Sequence, residues 1–504
     1  MTIFSSGCGF STRIASRSTG VGVTISITRD DALQDVLAKA VDLTLRTYRA
    51  RHLDDADNDQ LRAGAFAVEF TGDVLAEVGN VNFSPLKYDV IATGWRQPGS
   101  TFKVFTYAGL VERLTNEVLA ADPQLEAIEE IAAKVLERCT VLDAPVFVPL
   151  GRGRGVKKIE NFHSRSEPEY RGDIPCQIAL GESRNTAAMR AGARAGIKNV
   201  IDLTYRLGMP RDPKHPLQPY PTTAIGASEV NPLSMASTAA FLNGGFRVTP
   251  RFANDVCHDG KSLLYTDDEG RAKDCDVKGE NRPAPERLMH PAVSAAMIEL
   301  LKSPLDIGPT GTASAVRSGV IPGMDPLSDA IGRLKPDERK KRTLAFPFGK
   351  AGEIAGKTGT ATNADGKTSD VWLLLFLPGP PEHPENGIVL GFWMGKDSKD
   401  HPLGNRGATG GPGFAESGAR NWVHSAATVL AFLQKERGFL RPGYKFQPIM
   451  RGEVPKTFDV KEPKQSPRDI TPMATVGAAI EASEEPANPR AYRAGRSGAR
   501  LPPG

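Results

Sequence analysis

The sequence predicts an α+β fold, with an antiparallel sheet flanked by helices and a helical subdomain. Three observations carry this expectation. Alternating apolar runs occur early (63–80, AGAFAVEFTGDVLAEVGN) and again late (370–379 and 386–396), and alternation with period two marks strands. Between them lie segments with apolar residues at helical spacing. A last amphipathic stretch, ESGARNWVHSAATVLAFLQKE (416–436), reads as a closing helix packed back onto the sheet, as expected of an α+β layout.

Taken in order, residues 1–21 are rich in Ser, Gly and Thr and are expected to be loose. DALQDVLAKAVDLTLRTYRA (31–50) predicts a helix with Asp30 or Asp31 as N-cap. Thr71-Gly72-Asp73 turns the 63–80 hairpin. Residues 114–142 read as charged helix, 151–175 (opening GRGRGVKK) as a solvated loop, and 186–208 as helix. PLSMASTAAFLN (232–243) reads as a helix stopped by Gly244-Gly245. A polar excursion with hairpin character follows (251–285), then a helix over 289–303. DVWLLLFLPG (370–379) and NGIVLGFWMGK (386–396) flank a Pro/Glu/His turn and should pair antiparallel. From about 452 the chain is polar, with eight prolines through Pro503, a composition that favours disorder. The domain reading is a loose segment 1–21, one domain 22–445 and a Pro-rich tail 446–504.

Composition narrows the function classes. Lys and Arg number 63 against 59 Asp and Glu, a formal charge of +4 over 504 residues, so charge does not point to nucleic acid. Five cysteines form no CxxC pair and eight histidines no HExxH spacing, so neither a metal nor a cofactor is expected. Cys257 and Cys275 flank a turn-rich segment and can pair in an oxidising compartment, but two free thiols are the favoured reading. The longest apolar run, VWLLLFL (371–377), is strand-sized, well short of the ~20 residues of a membrane span. The N-terminus has neither a charged start nor an apolar core, so no signal peptide is expected.

AGEIAGKTGTAT (351–362) reads two ways. Gly356-Lys357-Thr358 fits a loose phosphate-loop pattern, and TLAFPF (343–348) offers a preceding strand. A phosphate loop must open a helix, yet TGTATNADGKTSD holds turn and strand residues, and Asp370 precedes its strand. Read as a strand, Lys357 and Gly359 face one way, Thr358 and Thr360 the other. Such a strand can accept an extended peptide and its terminal carboxylate. That reading requires a nucleophile elsewhere.

RQPGSTFK (96–103) supplies one. Pro98-Gly99 turns the chain, Ser100 opens a helix, and Lys103 lies on the same helical face. A serine hydroxyl needs a base, and Lys103 serves if burial or a nearby cation, such as Lys357, lowers its pKa. Taken alone, this pattern more often marks a capping serine with a surface lysine. IALGESRNTA (178–187) places Ser183 and Asn185 two apart before a helix, which alone more often marks a helix cap.

In the order S-x-x-K, S-x-N, K-T-G, with first residues 83 and 174 positions apart, the three match the set of penicillin-recognising serine enzymes. Over roughly residues 22–440 the chain resembles the transpeptidase domain of class A (bifunctional) penicillin-binding proteins. RQPGSTFKVFTYA is similar to that family's nucleophile segment and VTISITRDDALQ to its entry strand and helix. TTAIGASEVNPLSMASTAAFLNGG (222–245) is similar to a block midway, and KTGTATNADGKTSDVWLLLFLPG to the third and fourth sheet strands.

The resemblance implies the β-lactamase-like serine transpeptidase fold and a D,D-transpeptidase acting on peptidoglycan stem peptides. Ser100 would be acylated, Lys103 would be the base, and Ser183 would relay a proton to the leaving D-alanine. Asn185 would bond the acyl amide, while Lys357, Thr358, Gly359 and Thr360 would form the carboxylate-binding strand. Backbone N–H groups of Ser100 and Thr360 would line the oxyanion hole. β-Lactams would trap Ser100, and with no glutamate assignable as a deacylating base, deacylation would be slow. The alternatives are a D,D-carboxypeptidase or β-lactamase-like hydrolase, or a non-catalytic module binding cell-wall peptide. The family implies a cell-envelope location and a glycosyltransferase domain with a membrane helix. These residues carry neither, so a truncated reading frame or a stand-alone module is expected, with a separate glycosyltransferase or a divisome or elongasome protein as partner. A charged helical insert (about 114–142) and a basic loop fill the interval before Ser183.

Overall fold

The computed structural model describes residues 2–5, 12–16, 23–53, 55–80, 88–149, 155–161, 168–318, 352–363, 365–398, 400–404 and 416–448. The chain divides into two compact units, one spanning 1–144 and 160–461, the other 145–159 and 462–504.

In the larger unit, β1 (Thr2–Ser5), β2 (Thr12–Ser16) and β3 (Val23–Ile27) lead into α1 (Asp31–Arg51). Asp30 caps α1, its carboxylate accepting from the backbone N–H groups of Ala32 and Leu33 at 3.0 and 3.1 Å. The hairpin β4 (Leu61–Glu69) and β5 (Val74–Val78) follows, then a 3₁₀ turn (Gly99–Phe102) that runs into α2 (Lys103–Ala121). α2 is buried on every side over residues 103–112, and beyond them it exposes Arg113 and Glu117. Next come α3 (Ile128–Arg138) and β6 (Thr140–Asp143). The smaller unit contributes β7 (Val146–Pro149) and β8 (Val156–Ile159), a hairpin pairing Val146 with Ile159.

The larger unit resumes with β9 (Gly172–Pro175), α4 (Cys176–Gly181), α5 (Asn185–Ala195) and α6 (Ile197–Arg206). A long 3₁₀ segment (Leu233–Phe241) precedes β10 (Ala253–His258), β11 (Lys261–Thr266) and β12 (Ala272–Asp274). Then come α7 (Pro291–Asp306), α8 (Ala315–Ser318), β13 (Ala355–Thr362), β14 (Thr368–Leu377), β15 (Ile388–Lys396) and α9 (Gly418–Arg437).

The central sheet has the order β13-β14-β15-β4-β5, all antiparallel, so β13 lies at an edge. β14 is buried along its whole length, which is why its sequence is a continuous apolar run rather than an alternating one. Trp372, Leu374 and Phe376 pack on one face with α2 and α7. Val371, Leu373, Leu375 and Leu377 pack on the other with α1 and α9. Each such side chain, fully buried, contributes about 1.5–3 kcal/mol.

The α+β expectation holds, with several corrections. Within 1–21, expected to be loose, β1 and β2 pair in register with each other and with β3, extending a second sheet that continues to β10, β11 and β12. Thr and Ile favour that extended state. The stretch 114–142 is not one helix: α2 ends at Ala121, α3 is separate, and β6 pairs with β9. The 151–175 loop contains the strands β8 and β9. Gly196 splits 186–208 into two helices. The TLAFPF segment and the tail beyond 448 lie outside the described residues.

Candidate active site

The turn that carries Ser100 is fixed from three sides. Arg96 exchanges backbone hydrogen bonds with Val230, both at 2.9 Å, and its guanidinium pairs with buried Asp370 at 2.7 Å. Trp372 Nε1 donates to the Gln97 carbonyl at 2.8 Å, and Thr101 Oγ1 donates to the Pro98 carbonyl at 2.7 Å. Glycines permit the contact with β13. A Cβ on Gly99, whose φ is +50°, would lie 2.5 Å from the Thr360 carbonyl oxygen. A Cβ on Gly359 would lie 2.6 Å from the Pro98 oxygen, and one on Gly226 would overlap the Gly99 carbonyl. Ser100 therefore sits at the head of α2, against the Thr360 backbone at the sheet edge.

Lys103, the first residue of α2, is fully buried. Its Nζ donates to the Ser183 carbonyl at 2.5 Å, to Ser183 Oγ at 3.1 Å and to Asn185 Oδ1 at 2.7 Å. Lys357, on β13, is also fully buried and donates to Ser183 Oγ at 2.8 Å and to the Thr358 carbonyl at 2.9 Å. The two amines thus share one hydroxyl, and neither has a carboxylate in hydrogen-bond contact among the described residues. Burial pushes Lys103 well below its ordinary pKa, the Lys357 charge pushes it further, and Asp143 pulls it partly back. Burial lowers Lys357 to about 7.

Ser183 and Asn185 follow α4. Ser183 has φ +59°, in the left-handed region that non-glycine residues rarely occupy. Strain of this kind costs on the order of 1 kcal/mol or more and must be held by its surroundings. Arg184, between them, is buried and pairs with Glu182 at 2.9 Å. The Cys139–Cys176 disulfide, Cα atoms 5.4 Å apart, ties the end of α3 to the start of α4.

The structure brings Lys103, Ser183, Asn185 and Lys357 together, with Ser100 and Gly359 beside them. It differs from expectation in two details. Lys103 bonds Ser183 and Asn185 rather than Ser100, whose Oγ makes no hydrogen bond to a described residue. The Asn185 amide, expected to be open to a substrate amide, already accepts from Lys103 and donates to the Glu160 carbonyl at 2.7 Å. Thr358 and Thr360 alternate with Lys357 along β13, and neither hydroxyl bonds a described residue; Thr360 is the more open.

The cysteine reading is corrected too. Cys257 and Cys275 are disulfide-bonded across β10 and the segment after β12, because strand pairing brings their Cα atoms to 5.6 Å. Asp255 lies beside them, but both sulfurs are spent on each other. No local pattern signalled the second pair, Cys139 with Cys176, or the buried Asp143 and Asn161 behind Ser183. Beside the nucleophile turn, a cavity of about 250 Å³ is lined by Lys214, His215, Tyr220, Thr222, Ser228 and Glu229. His215 stacks on Trp95 at 4.8 Å.

No protein-family model matches the chain. Over 409 residues, 81% of its length, the chain is 25% identical to penicillin-binding protein 1A of Rickettsia conorii. Over 344 residues it is 25% identical to the same-named protein of Neisseria cinerea. It spans 41% and 33% of those relatives. Among solved structures, penicillin-binding protein 1A from Haemophilus influenzae is similar, with a TM-score of 0.53 and 17% identity, over 82% of this chain and 67% of that one. PonA1 of Mycobacterium tuberculosis in complex with penicillin V is similar with a TM-score of 0.53 and 18% identity, over 86% of this chain and 89% of that one. These likenesses support a class A penicillin-binding transpeptidase region, and the solved neighbours show its fold.

Proposed function

We propose that this chain, a relative of class A penicillin-binding proteins across their transpeptidase region, is a serine D,D-transpeptidase that cross-links peptidoglycan stem peptides and is acylated by β-lactams. One observation carries the reading: two fully buried lysine amines, from α2 and β13, share the Ser183 hydroxyl beside a serine at a helix N-terminus.

Ser100 Oγ attacks the carbonyl carbon of the penultimate D-alanine, and its proton passes to neutral Lys103. Backbone N–H groups of Ser100 and Thr360 hold the oxyanion; each such donor contributes about 3–4 kcal/mol to transition-state stabilisation. The peptide C–N bond then breaks, and Ser183 relays the proton to the leaving D-alanine amine. Protonated Lys357, with Thr358 and Thr360, holds the substrate's terminal carboxylate, while Gly359 leaves room for its backbone along the edge of β13. Asn185 turns its amide toward the acyl chain once Lys103 has moved to Ser100. An amine of a second stem peptide attacks the ester, forms the cross-link and frees Ser100. In a β-lactam the ring amide takes the place of the scissile bond. Two disulfides favour an oxidising compartment, consistent with work in the cell envelope alongside a glycosyltransferase.

Intact-protein mass after exposure to benzylpenicillin tests this, with Ser100→Ala beside the wild type. The expected result is a stable adduct on the wild type, absent from the variant. Penicillin consumed without an adduct favours a carboxypeptidase or β-lactamase-like hydrolase. Penicillin intact with no adduct on folded protein favours a non-catalytic peptide-binding module.

A further inference from the structure

Behind the two lysines lies a fully buried carboxylate that none of the acyl-transfer steps uses. Asp143 ends β6 with no solvent exposure. Its Oδ1 accepts from Asn161 Nδ2 at 2.7 Å and from the Thr186 hydroxyl. Its Oδ2 accepts from the Arg171 backbone N–H at 3.1 Å, with Arg184 Nε 3.7 Å away.

Asn161 hands this anchorage forward. Its Oδ1 accepts from the backbone N–H groups of Asn185 at 2.7 Å and Thr186 at 3.2 Å, capping α5. Asn185 then presents Oδ1 to Lys103. A continuous path runs from Asp143 through Asn161 and the head of α5 to the amine proposed as base.

The electrostatics run along the same line. Lys103 is faced by Lys357 from β13, by the Ser183–Asn185 segment, by Tyr107 one turn along α2 and by Asp143 from β6. The Tyr107 hydroxyl is buried and makes no hydrogen bond to a described residue. Asp143 itself is faced by Arg184 and Arg171, with Glu182 paired to both arginines, and its field also reaches Arg190. Burial and Lys357 drive Lys103 toward the neutral form, and Asp143 opposes them. A base that falls too low in pKa is a poor proton acceptor, so the opposing charge matters.

We propose that Asp143 is a positioning residue for acyl transfer: through Asn161 and Thr186 it fixes the Ser183–Asn185 segment against Lys103, and it supplies the fixed negative charge behind that segment. This rests on the transpeptidase reading above.

The test is the second-order rate of acylation by benzylpenicillin as a function of pH, for wild type, Asp143→Asn and Thr186→Val. The rate rises with pH as Lys103 becomes neutral. Removing the carboxylate charge makes Lys103 release its proton sooner, so Asp143→Asn should move this rise to lower pH by about half to one unit. Its plateau should also fall roughly tenfold. Thr186→Val keeps the charge and should lower the plateau while leaving the rise in place. An Asp143→Asn rise within about 0.2 unit of wild type overturns the proposal, since a merely structural role moves rate and not pH. If Asp143→Asn does not fold, Asn161→Ala decides: a plateau loss of about tenfold supports the path, and a loss under about twofold overturns it. A wild type that is never acylated fails the transpeptidase reading and this one with it. An acylating wild type with an unmoved Asp143→Asn rise fails this one alone.

Discussion

The central sheet buries lysine on both faces, and the two faces treat it differently. On the side of α1 and α9, Lys396 is 1% exposed and bonds Asp55 Oδ1 at 2.7 Å. Asp55 also accepts from the Tyr48 hydroxyl at 3.1 Å. Burial pushes its carboxyl up, but the Lys396 hydrogen bond and the Asp57 backbone N–H outweigh that and hold it low. On the side of α2, Lys103 and Lys357 reach only a hydroxyl, carbonyls and an amide. A buried cation with a carboxylate partner is compensated where it sits, whereas one given neutral acceptors can surrender its proton. The first arrangement serves the fold and the second suits chemistry.

The widest separation between the faces should come from Lys103→Met. Acylation should fall by about 10²–10⁴-fold, while melting temperature stays level or rises, because a buried amine with no carboxylate partner is removed. A melting temperature that falls as steeply as for Lys396→Met would break the comparison. Lys396→Met should destabilise by about 3–5 kcal/mol in urea titration, because Asp55 is left buried without its cation. Acylation per folded molecule should change by less than about twofold, since no contact of the candidate site is lost.

The disulfides sharpen the same contrast. Replacing Cys139 and Cys176 by serine opens a separation of 37 residues, against 18 for Cys257 and Cys275. Chain-entropy arguments give losses of about 4 and about 3 kcal/mol. The first pair of substitutions should also slow acylation, because that disulfide closes on α4 just before Ser183; the second should not. The smallest effect is on pH. Lys357→Ala removes a like charge from beside Lys103, so the rise in acylation rate should move to higher pH by roughly one unit, opposite in sign to Asp143→Asn. In the wild type, capture of a substrate carboxylate should weaken above pH about 7, where Lys357 loses its proton, read as a rising KM.

Local grammar made much of this fold legible. Asp30 before an amphipathic run announces α1, and VWLLLFL announces a strand buried on both faces. The turn residues after Lys357 exclude a helix there, so the K-T-G segment had to be read as strand, and β13 is one. Contacts between distant residues were not legible. Asp143, Asn161, Asn185 and Thr186 meet across 18 to 43 positions with no periodicity to mark them, and Cys139 finds Cys176 only because β6 pairs with β9. The S-x-x-K spacing sets a helical face but not a rotamer, which is why it does not reveal that Lys103 turns to Ser183. The strands in 1–21 escaped because Ser and Gly mask the β-branched residues that pair.

The glycines at 99, 226 and 359 bear on how such a chain can drift under selection. They carry no reactive group, yet any side chain at these positions would strike backbone and pry the Ser100 turn from β13. A lineage pressed by a β-lactam has little freedom at those positions. Its available changes lie on the rim instead, where Lys214, Gln218 and Tyr220 are exposed around the neighbouring cavity and can be exchanged without touching the seam.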